Sequence, residues 1–498
     1  MAVRVSAPSA RFVRGLGSKW AWRFVLGLFL LEALWFAFSA RYPMAFDENY
    51  HFGLIQLHAH QWLPFFTSQP DNASAYGAIV RDPSYLYHWL MSFPYRFVTL
   101  FTHNQTAQVI VLRLLNVGLF TAGLLLYRRI VRRLGASAAL TNSLFAVFVL
   151  IPVVPFLAAH SNYDNLFFVA VPVTVLLAMR LLDGIAKRQI DSATLLWLLT
   201  VLFLSSLIKY PFLPVFVVVA AFVAWKIGRA KLLGATGLRS FLAGLKLLGR
   251  TKQIVLIAAC LLSFGLFAER YATNVVRYHN PVPACDAVIS EDDCLQYGPY
   301  GRDRTYAAEK PASFHPHVYG YAWQWLYGMW YRLYFAINYD YATAPPLAVV
   351  SVLGIVLAVL AVIGILLRFR WLFAGQPARQ LLLLVTAGYV LVLFADGFQA
   401  YAKTGQPVAI NGRYLIPFLP FLFAFGGLAW SSLLRRASVV KTATASVVIA
   451  VLLLQGGGAA TFLIRSADSW MWPNSTMVTV NRELRRIAWP LVLGKNVY

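Results

Sequence analysis

The sequence predicts an all-α protein that crosses a membrane about eleven times, and three observations lead to this fold class. Of the 498 residues, 59% are hydrophobic and 12% are charged, which is about half the charged fraction of a soluble domain. The hydrophobic residues form runs long enough to cross a bilayer as helices. The 43 Lys and Arg residues lie between these runs instead of on one basic domain. This composition excludes a water-soluble enzyme and a disordered chain, and the spacing of the cations argues against a nucleic-acid partner.

The predicted membrane-crossing helices lie at 22–40, 108–127, 137–158, 165–182, 193–208, 211–227, 254–270, 346–367, 380–397, 414–433 and 442–463. The stretch 193–227 could instead form one broken helical pair around Lys209, Tyr210 and Pro211. A further run at 85–101 is aromatic but interrupted by polar residues. If it crossed the membrane, the arginines that follow the next run would lie outside, so we predict a helix in the membrane interface.

The cations predict the orientation, because Lys and Arg concentrate in short cytoplasmic loops. With the N-terminus in the cytoplasm, the inner segments hold 25 of the 43 cations. Residues 1–463 then form the membrane domain, with large external loops at 41–107 and 271–345, and residues 464–498 form a short external tail. The inner basic loop 226–252 is expected to contact anionic lipid headgroups.

The start of the chain and its cysteines bear on the cellular compartment. The basic start leads into an apolar run without a small-residue cleavage pattern, which favours a retained first span over a cleavable signal peptide. Cys260 lies in an apolar run and is predicted to pack there. Cys285 and Cys294 share the longest polar loop, and they could pair if that loop faces an oxidising compartment.

The most informative motif follows the first predicted span, where the chain reads RYPMAFDENYHFG from Arg41 to Gly53. It places the adjacent acids Asp47 and Glu48, and then His51, close to the outer membrane surface. Aromatic residues flank the motif, so it is not a free polar loop. A carboxylate near an apolar boundary tends to have a raised pKa, which suits a general base. The alternative is that both acids are simply solvated at a helix exit.

A second motif opens the predicted interfacial helix with Asp82 and Pro83. Aspartate before proline predicts an N-cap with proline at the first helical position, and this structural role would suffice to explain Asp82. Tyr87 and His88 follow a few residues later. They could line a cleft at the level of the lipid headgroups.

These motifs resemble the GT-C superfamily of membrane glycosyltransferases. The sequence from Asp47 to Gly53 is similar to the first external loop of protein O-mannosyltransferases, with one residue inserted before the histidine. Lys209-Tyr210 at a span boundary resembles a Lys-Tyr or Lys-Trp of many relatives. The sequence NGRYLIP, from Asn411 to Pro417, resembles the Gly-Arg-Tyr-x-x-Pro that opens a late span in bacterial members, which implies a bacterial inner membrane.

The resemblance implies transfer of a sugar from a polyprenyl-phosphate carrier to a cell-envelope glycan, lipid or protein acceptor, usually with inversion. Asp47 would remove the acceptor proton, and Glu48 would orient the acceptor or complete the acidic pair. The departing lipid phosphate needs cations at headgroup depth. Lys209 and Arg413, the latter beside Tyr414, are the candidates, although Lys209 could also reach for the interface as a snorkelling lysine.

Several residues have two interpretations. Arg113 and Glu32 lie within predicted spans, where they could pair as a structural lock, or Arg113 could help to hold phosphate. Asp164 opens a span and could either face Asp47 or cap a helix. Loop 271–345 is expected to cover the cleft. Its dense aromatic stretch could stack on sugars or form an interfacial belt.

No cofactor is predicted. Asp47, Glu48, Asp164 and His51 could build an oxygen-rich site for a divalent metal, but the resemblance implies no general metal dependence, so no metal is expected. The competing functions are a transporter, a flippase, a polymer ligase for lipid-linked glycans and a purely structural subunit. The sequence identifies neither the donor sugar nor the acceptor.

Overall fold

The protein is almost entirely helical. The computed structural model describes residues 13–45, 47–232, 234–334, 336–337, 343–344, 348–434, 438–455, 457–465 and 468–488. The first half comprises α1 Lys19–Ser39, α2 Glu48–Ala59, α3 Leu86–Thr99, α4 Gln105–Arg133, α5 Ala138–Val149, α6 Val153–Ala158, α7 Tyr163–Ala186, α8 Ser192–Ile208, α9 Leu213–Arg229 and α10 Ala235–Lys246. The basic start within residues 1–12 lies outside the described residues.

The second half begins with a long helix that contains a π-helical segment, Ala268–Ala272. Its helices are α11 Arg250–Phe267, α12 Thr273–Tyr278, α13 Glu291–Leu295, α14 Gly298–Glu309, α15 Val318–Tyr331, α16 Ala348–Leu367, α17 Phe369–Phe373, α18 Pro377–Thr404, α19 Leu419–Leu433, α20 Ser438–Leu454, α21 Ala459–Arg465 and α22 Ser475–Ala488. Two short strands, β1 Ala336–Ile337 and β2 Thr343–Ala344, pair antiparallel.

Within the described residues, seven helices are long and apolar enough to cross a membrane. They are Lys19–Ser39, Gln105–Arg133, Tyr163–Ala186, Tyr210–Arg229, Arg250–Tyr278, Val349–Leu367 and Pro377–Thr404. The other four predicted runs coincide with shorter apolar helices: α5, α8, α19 and the Val440–Leu454 part of α20. The chain is therefore a predominantly helical integral membrane protein, and the count of eleven crossings stays a prediction.

The break predicted in the stretch 193–227 is confirmed at Lys209. Helix α8 ends at Ile208, and Lys209 has an extended backbone with φ −156° and ψ 123°. A short 3₁₀ turn, Tyr210–Phe212, then leads into α9. This interruption allows the Lys209 side chain to leave the helix direction and turn into the bundle.

The run 85–101 forms the short helix α3, which packs along α2. Arg96 of α3 donates to the carbonyl oxygen of Ala59 at 2.8 Å. The prediction that Asp82 caps this helix is wrong, because α3 begins only at Leu86. The Asp82 carboxylate instead accepts from the Ser84 backbone N–H at 2.8 Å, and this local turn competes with helix initiation.

The two predicted loop regions contact each other. Ser74 donates to Asp293 at 3.0 Å, and the Asn274 side chain donates to the carbonyl oxygen of Arg81 at 3.0 Å. Cys285 and Cys294 form a disulfide within the second loop region. One face of α15, with Tyr321, Trp325 and Met329, is buried mainly against α18, whereas Tyr319, Trp323 and Tyr327 on its other face are exposed. The second loop region thus lies against the first.

Candidate functional site

Two acids and two cations from distant parts of the chain meet at the end of the bundle where α1 ends. Arg413 Nη2 lies 2.7 Å from Asp47 Oδ2, and Lys209 Nζ lies 2.5 Å from Asp164 Oδ1. The two pairs are joined, because Arg413 Nε lies 3.8 Å from Asp164 Oδ2. The structure therefore brings Asp47, Asp164, Lys209 and Arg413 together. We refer to these four residues as the charged cluster.

Asp47 holds its position through an unusual backbone conformation. It has φ 68° and ψ 29° in the left-handed region, which aspartate tolerates better than most residues. It occupies the N-cap position of α2, but its side chain makes no capping hydrogen bond. The side chain is 59% exposed, while its partner Arg413 is 5% exposed. Asp47 thus has an accessible carboxylate that is paired with a buried cation.

Local structure explains the NGRY motif that carries Arg413. The Asn411 side chain accepts from the Arg413 backbone N–H at 3.1 Å and opens a 3₁₀ turn, Gly412–Leu415. A Cβ atom at position 412 would overlap with the carbonyl oxygen of Met329, so the close approach of α15 requires glycine there. The backbone carbonyl of Tyr414 accepts from the Tyr389 hydroxyl at 3.0 Å. These contacts fix the backbone that carries Arg413.

Lys209 and Asp164 form the inner part of the cluster. Asp164 lies in the first turn of α7, where Asn162 caps its backbone N–H at 2.8 Å. The ammonium of Lys209 lies 4.6 Å from the ring centroids of both Tyr163 and Tyr414. Lys209 is 3% exposed, so its side chain is directed inward. The snorkelling alternative for this lysine is therefore wrong.

Nearby cations determine the charge state of Asp47. Burial alone would raise the pKa of the Asp47 carboxyl, but the adjacent Arg413, with smaller contributions from His160 and Lys209, brings this pKa below its ordinary value. The raised pKa that the sequence suggested is therefore wrong. The sequence shows the apolar boundary beside Asp47, but it does not show that Arg413, 366 residues later, pairs with Asp47. Asp47 is ionised at neutral pH.

Glu48 has a different environment from its neighbour. Its two carboxylate oxygens lie 2.8 and 2.7 Å from Nε and Nη2 of Arg113, and both side chains are fully buried. The Met44 backbone N–H also donates to Glu48, at 2.8 Å. The expected Glu32–Arg113 pair is wrong, since Glu32 instead accepts from the backbone N–H of Ala459 at 3.2 Å. Glu48 and Arg113 lock α2 to α4.

The predicted histidines are buried beside the cluster. His51 Nδ1 lies 2.9 Å from His88 Nε2, and the two side chains are each 1% exposed. Burial lowers the pKa of both imidazoles well below the ordinary value, so both are neutral. The His51 ring contacts Tyr163 edge-on at a centroid distance of 4.5 Å. The hydrogen bond between His51 and His88 holds α2 against α3 beside the charged cluster.

Asp82 and Tyr210 lie on the rim of the same region. Burial raises the pKa of the Asp82 carboxyl, and the backbone N–H of Tyr210 donates to Ser84 at 3.1 Å. Tyr50 and Tyr297 face each other at a centroid distance of 6.1 Å and interact electrostatically with Asp47. Sequence reasoning missed both tyrosines. Tyr50 lies inside the DENYHFG motif, but no local signal marks Tyr297.

His160 was also missed, although it opens the segment that contains Asp164. Its Nε2 contacts the carbonyl oxygen of Ala45 and its Nδ1 lies 3.1 Å from that of Phe156. His160 therefore supports the backbone that leads into Asp47.

The oxygen-rich metal site suggested by the sequence is not assembled, because both carboxylate oxygens of Glu48 are bound to Arg113. In the described part of the chain, no group of three or more His, Cys, Asp or Glu side chains could hold a metal ion.

The charged cluster combines two chemical capacities in one place. The exposed Asp47 carboxylate can accept a proton from a bound hydroxyl, and the buried guanidinium and ammonium can stabilise negative charge that develops beside it. The aromatic rings of Tyr50 and Tyr297 add apolar surface near Asp47. When the chain is compared with family models, curated proteins and solved structures, no match is found.

Proposed function

We propose that the protein is an inverting membrane glycosyltransferase of the GT-C type that moves a sugar from a polyprenyl-phosphate carrier to an acceptor. One observation carries this proposal: the exposed Asp47 carboxylate lies 2.7 Å from the guanidinium of Arg413, and the Arg413 side chain is otherwise buried. A base and a phosphate-binding cation must act on one reacting centre, so their contact favours a shared site.

In the proposed reaction, the acceptor hydroxyl binds at Asp47 and attacks the anomeric carbon of the donor. The new bond forms between the acceptor oxygen and that carbon while the bond from the carbon to the phosphate oxygen breaks. The electron pair leaves with the phosphate, and the acceptor proton passes to Asp47. Arg413 and Lys209 stabilise the phosphate charge as it develops.

The low pKa of Asp47 has a consequence for the timing of proton transfer. A carboxylate paired with arginine is a weak base, so it accepts the proton late, when the acceptor oxygen has already become acidic through bonding to carbon. A donor phosphate competes with Asp47 for the guanidinium of Arg413. Binding of the donor therefore raises the proton affinity of Asp47 and couples base strength to donor occupancy.

Glu48 acts as a positioning residue in this proposal. Both of its oxygens are occupied by Arg113 and the Met44 N–H, and its side chain has no exposed surface. It fixes the start of α2, which sets the direction of Asp47. The proposal therefore assigns base chemistry to Asp47 alone.

The same proposal includes the topology. Eleven crossings with a cytoplasmic N-terminus place the charged cluster at the outer face of a bacterial plasma membrane. Two features support this orientation: the excess of cations in the short inner segments, and the disulfide between Cys285 and Cys294, which an oxidising compartment favours. The carrier's headgroup would then rest at the depth of Arg413 and Lys209.

A transfer assay tests the proposal. Purified full-length protein in liposomes receives a panel of radiolabelled polyprenyl-phosphate sugars with a membrane extract as the source of acceptor. We expect one labelled sugar to leave its carrier and appear in product, with no transfer from soluble nucleotide sugars. Movement of an intact lipid-linked glycan across the bilayer, without cleavage of the sugar–phosphate bond, would instead identify a flippase or transporter.

A further inference from the structure

We propose that Arg332 is a third binding residue for the donor's phosphate, supplied by the loop region 271–345. Arg332 follows the last residue of α15 and is exposed. Its Nη1 donates to the carbonyl oxygen of Ile410, three residues before Arg413. This inference rests on the proposed function, because the phosphate in question is that of the carrier.

Tyr414 interacts with three cations. Arg413 Nη2 lies 3.4 Å from the Tyr414 hydroxyl, and Lys209 Nζ lies 4.6 Å from the centre of its ring. Arg332 also interacts electrostatically with the Tyr414 side chain. A guanidinium from a different helix thus borders the charged cluster beside the same tyrosine.

The balance of charge distinguishes Arg332 from the other two cations. Lys209 and Arg413 face Asp164 and Asp47, so the four charges of the cluster cancel. In the part of the chain that the structure describes, no carboxylate pairs with Arg332. An incoming phosphate diester carries one negative charge, and Arg332 supplies the positive charge that neutralises it.

The geometry of arginine suits this role. One nitrogen of Arg332 is fixed by the Ile410 carbonyl, which leaves the other donors of its planar fork for phosphate oxygens. Arg332 is exposed, whereas Lys209 and Arg413 are 3% and 5% exposed. Arg332 is therefore the cation that an arriving headgroup meets first, and the buried pair stabilises the charge after arrival.

The test measures binding of a carrier without sugar to the purified full-length chain in detergent. Probes are undecaprenyl phosphate, its neutral alcohol undecaprenol, and phosphatidylglycerol as an ordinary lipid phosphate. For Arg332→Gln we expect about tenfold weaker binding of undecaprenyl phosphate, the loss of one charged hydrogen-bonding group, and unchanged binding of undecaprenol. Arg332→Lys should retain part of the affinity because it keeps the charge, and Arg302→Gln, at an exposed arginine paired with Asp303, should bind like wild type.

The outcomes separate the inference from the proposed function. If wild-type protein binds undecaprenyl phosphate no better than undecaprenol, or no better than phosphatidylglycerol, the carrier site and the proposed function both fail. If wild type prefers undecaprenyl phosphate and Arg332→Gln keeps that preference in full, Arg332 is excluded while the proposed function stands. Equal losses for phosphate and alcohol in Arg332→Gln would indicate a structural role and would also overturn the inference.

Discussion

Two neighbouring acids of this chain pair with arginines in opposite ways. Glu48 and Arg113 are both fully buried, and backbone groups complete their hydrogen bonds. Asp47 is 59% exposed on an arginine that is 5% exposed. The same kind of ion pair is thus fully buried in one case and leaves an accessible carboxylate in the other. An acid beside an arginine is informative about function only when its exposure is known.

The backbone explains how consecutive residues reach such different environments. Asp47 adopts the left-handed conformation, while Glu48 is the first residue of α2. The two carboxylates thus reach different partners, Glu48 on α4 and Asp47 at the NGRY turn. A non-glycine residue with positive φ costs energy that the surrounding contacts must offset, and such residues concentrate at functional sites.

The largest effect is expected from Asp47→Asn, which removes the base and keeps the size of the side chain. We expect sugar transfer to fall about 10²- to 10⁴-fold, the range for loss of a general base. Thermal unfolding in detergent should change little, because asparagine keeps an oxygen that can accept from Arg413, and Asp164 still faces the guanidinium at 3.8 Å. Asp47→Glu, which keeps a carboxylate, is the matched comparison. Transfer by the Asn variant at the wild-type rate would exclude Asp47 as the base.

Arg113→Met breaks the sealed pair and leaves Glu48 buried without its cation. We expect the free energy of unfolding to fall by about 3–5 kcal/mol, measured by fluorescence-detected unfolding in detergent. The double variant Glu48→Met/Arg113→Met should recover most of this loss, because no unpaired buried charge remains. Arg413→Met should cost less, since the exposed Asp47 can be solvated. A stable Arg113→Met variant would contradict the lock.

Gly412→Ala tests the close contact between Gly412 and Met329, which positions the Asp47–Arg413 ion pair. The added Cβ meets the Met329 carbonyl, so we expect a loss of about 1–3 kcal/mol in stability and slower transfer because Arg413 moves. Gly118→Ala in α4 is the control, since a Cβ there meets nothing within 4 Å. The comparison of the two melting temperatures would be sharpest at matched protein-to-detergent ratios. Equal stability of the two variants would argue against the close approach at Gly412.

The smallest effect is a shift in the acidic limb of the pH–rate profile. Arg413 lowers the pKa of Asp47, so activity should persist to low pH in wild type and be lost as pH falls through this depressed pKa. In Arg413→Gln, the positive charge that lowers the pKa of Asp47 is removed, so this pKa rises and the acidic limb should move to higher pH. The value of kcat/KM for the donor, which reports the free enzyme in which Asp47 and Arg413 are paired, would show the shift between pH 4 and 8, and an unmoved limb would mean that Arg413 does not control Asp47.

Much of this arrangement was predictable from local patterns. Apolar runs predicted the helices, and the Lys-Tyr-Pro sequence predicted the break at Lys209, because both signals lie within a few residues. The motifs at Asp47 and Arg413 identified residues that the structure places in contact. Each motif is short, and its function depends on a backbone turn that its own residues encode.

Pairings between distant helices were not predictable. Glu32 was expected to pair with Arg113, whereas the structure pairs Arg113 with Glu48, and one sequence contains no information on which acid faces Arg113 in the bundle. The pKa of Asp47 was expected to rise because the distant Arg413 could not be placed beside it. Arg332 carries no motif at all, and its position depends on the packing of α15 against the NGRY turn.

The most direct measurement is the structure of the protein with undecaprenyl phosphate bound. We expect a phosphate oxygen about 3 Å from a guanidinium nitrogen of Arg413, with Lys209 close to the same group and the Asp47 carboxylate released toward the space where an acceptor hydroxyl would lie. A carrier phosphate bound elsewhere, with the Asp47–Arg413 ion pair unchanged, would contradict the assignment of the charged cluster as the reaction site.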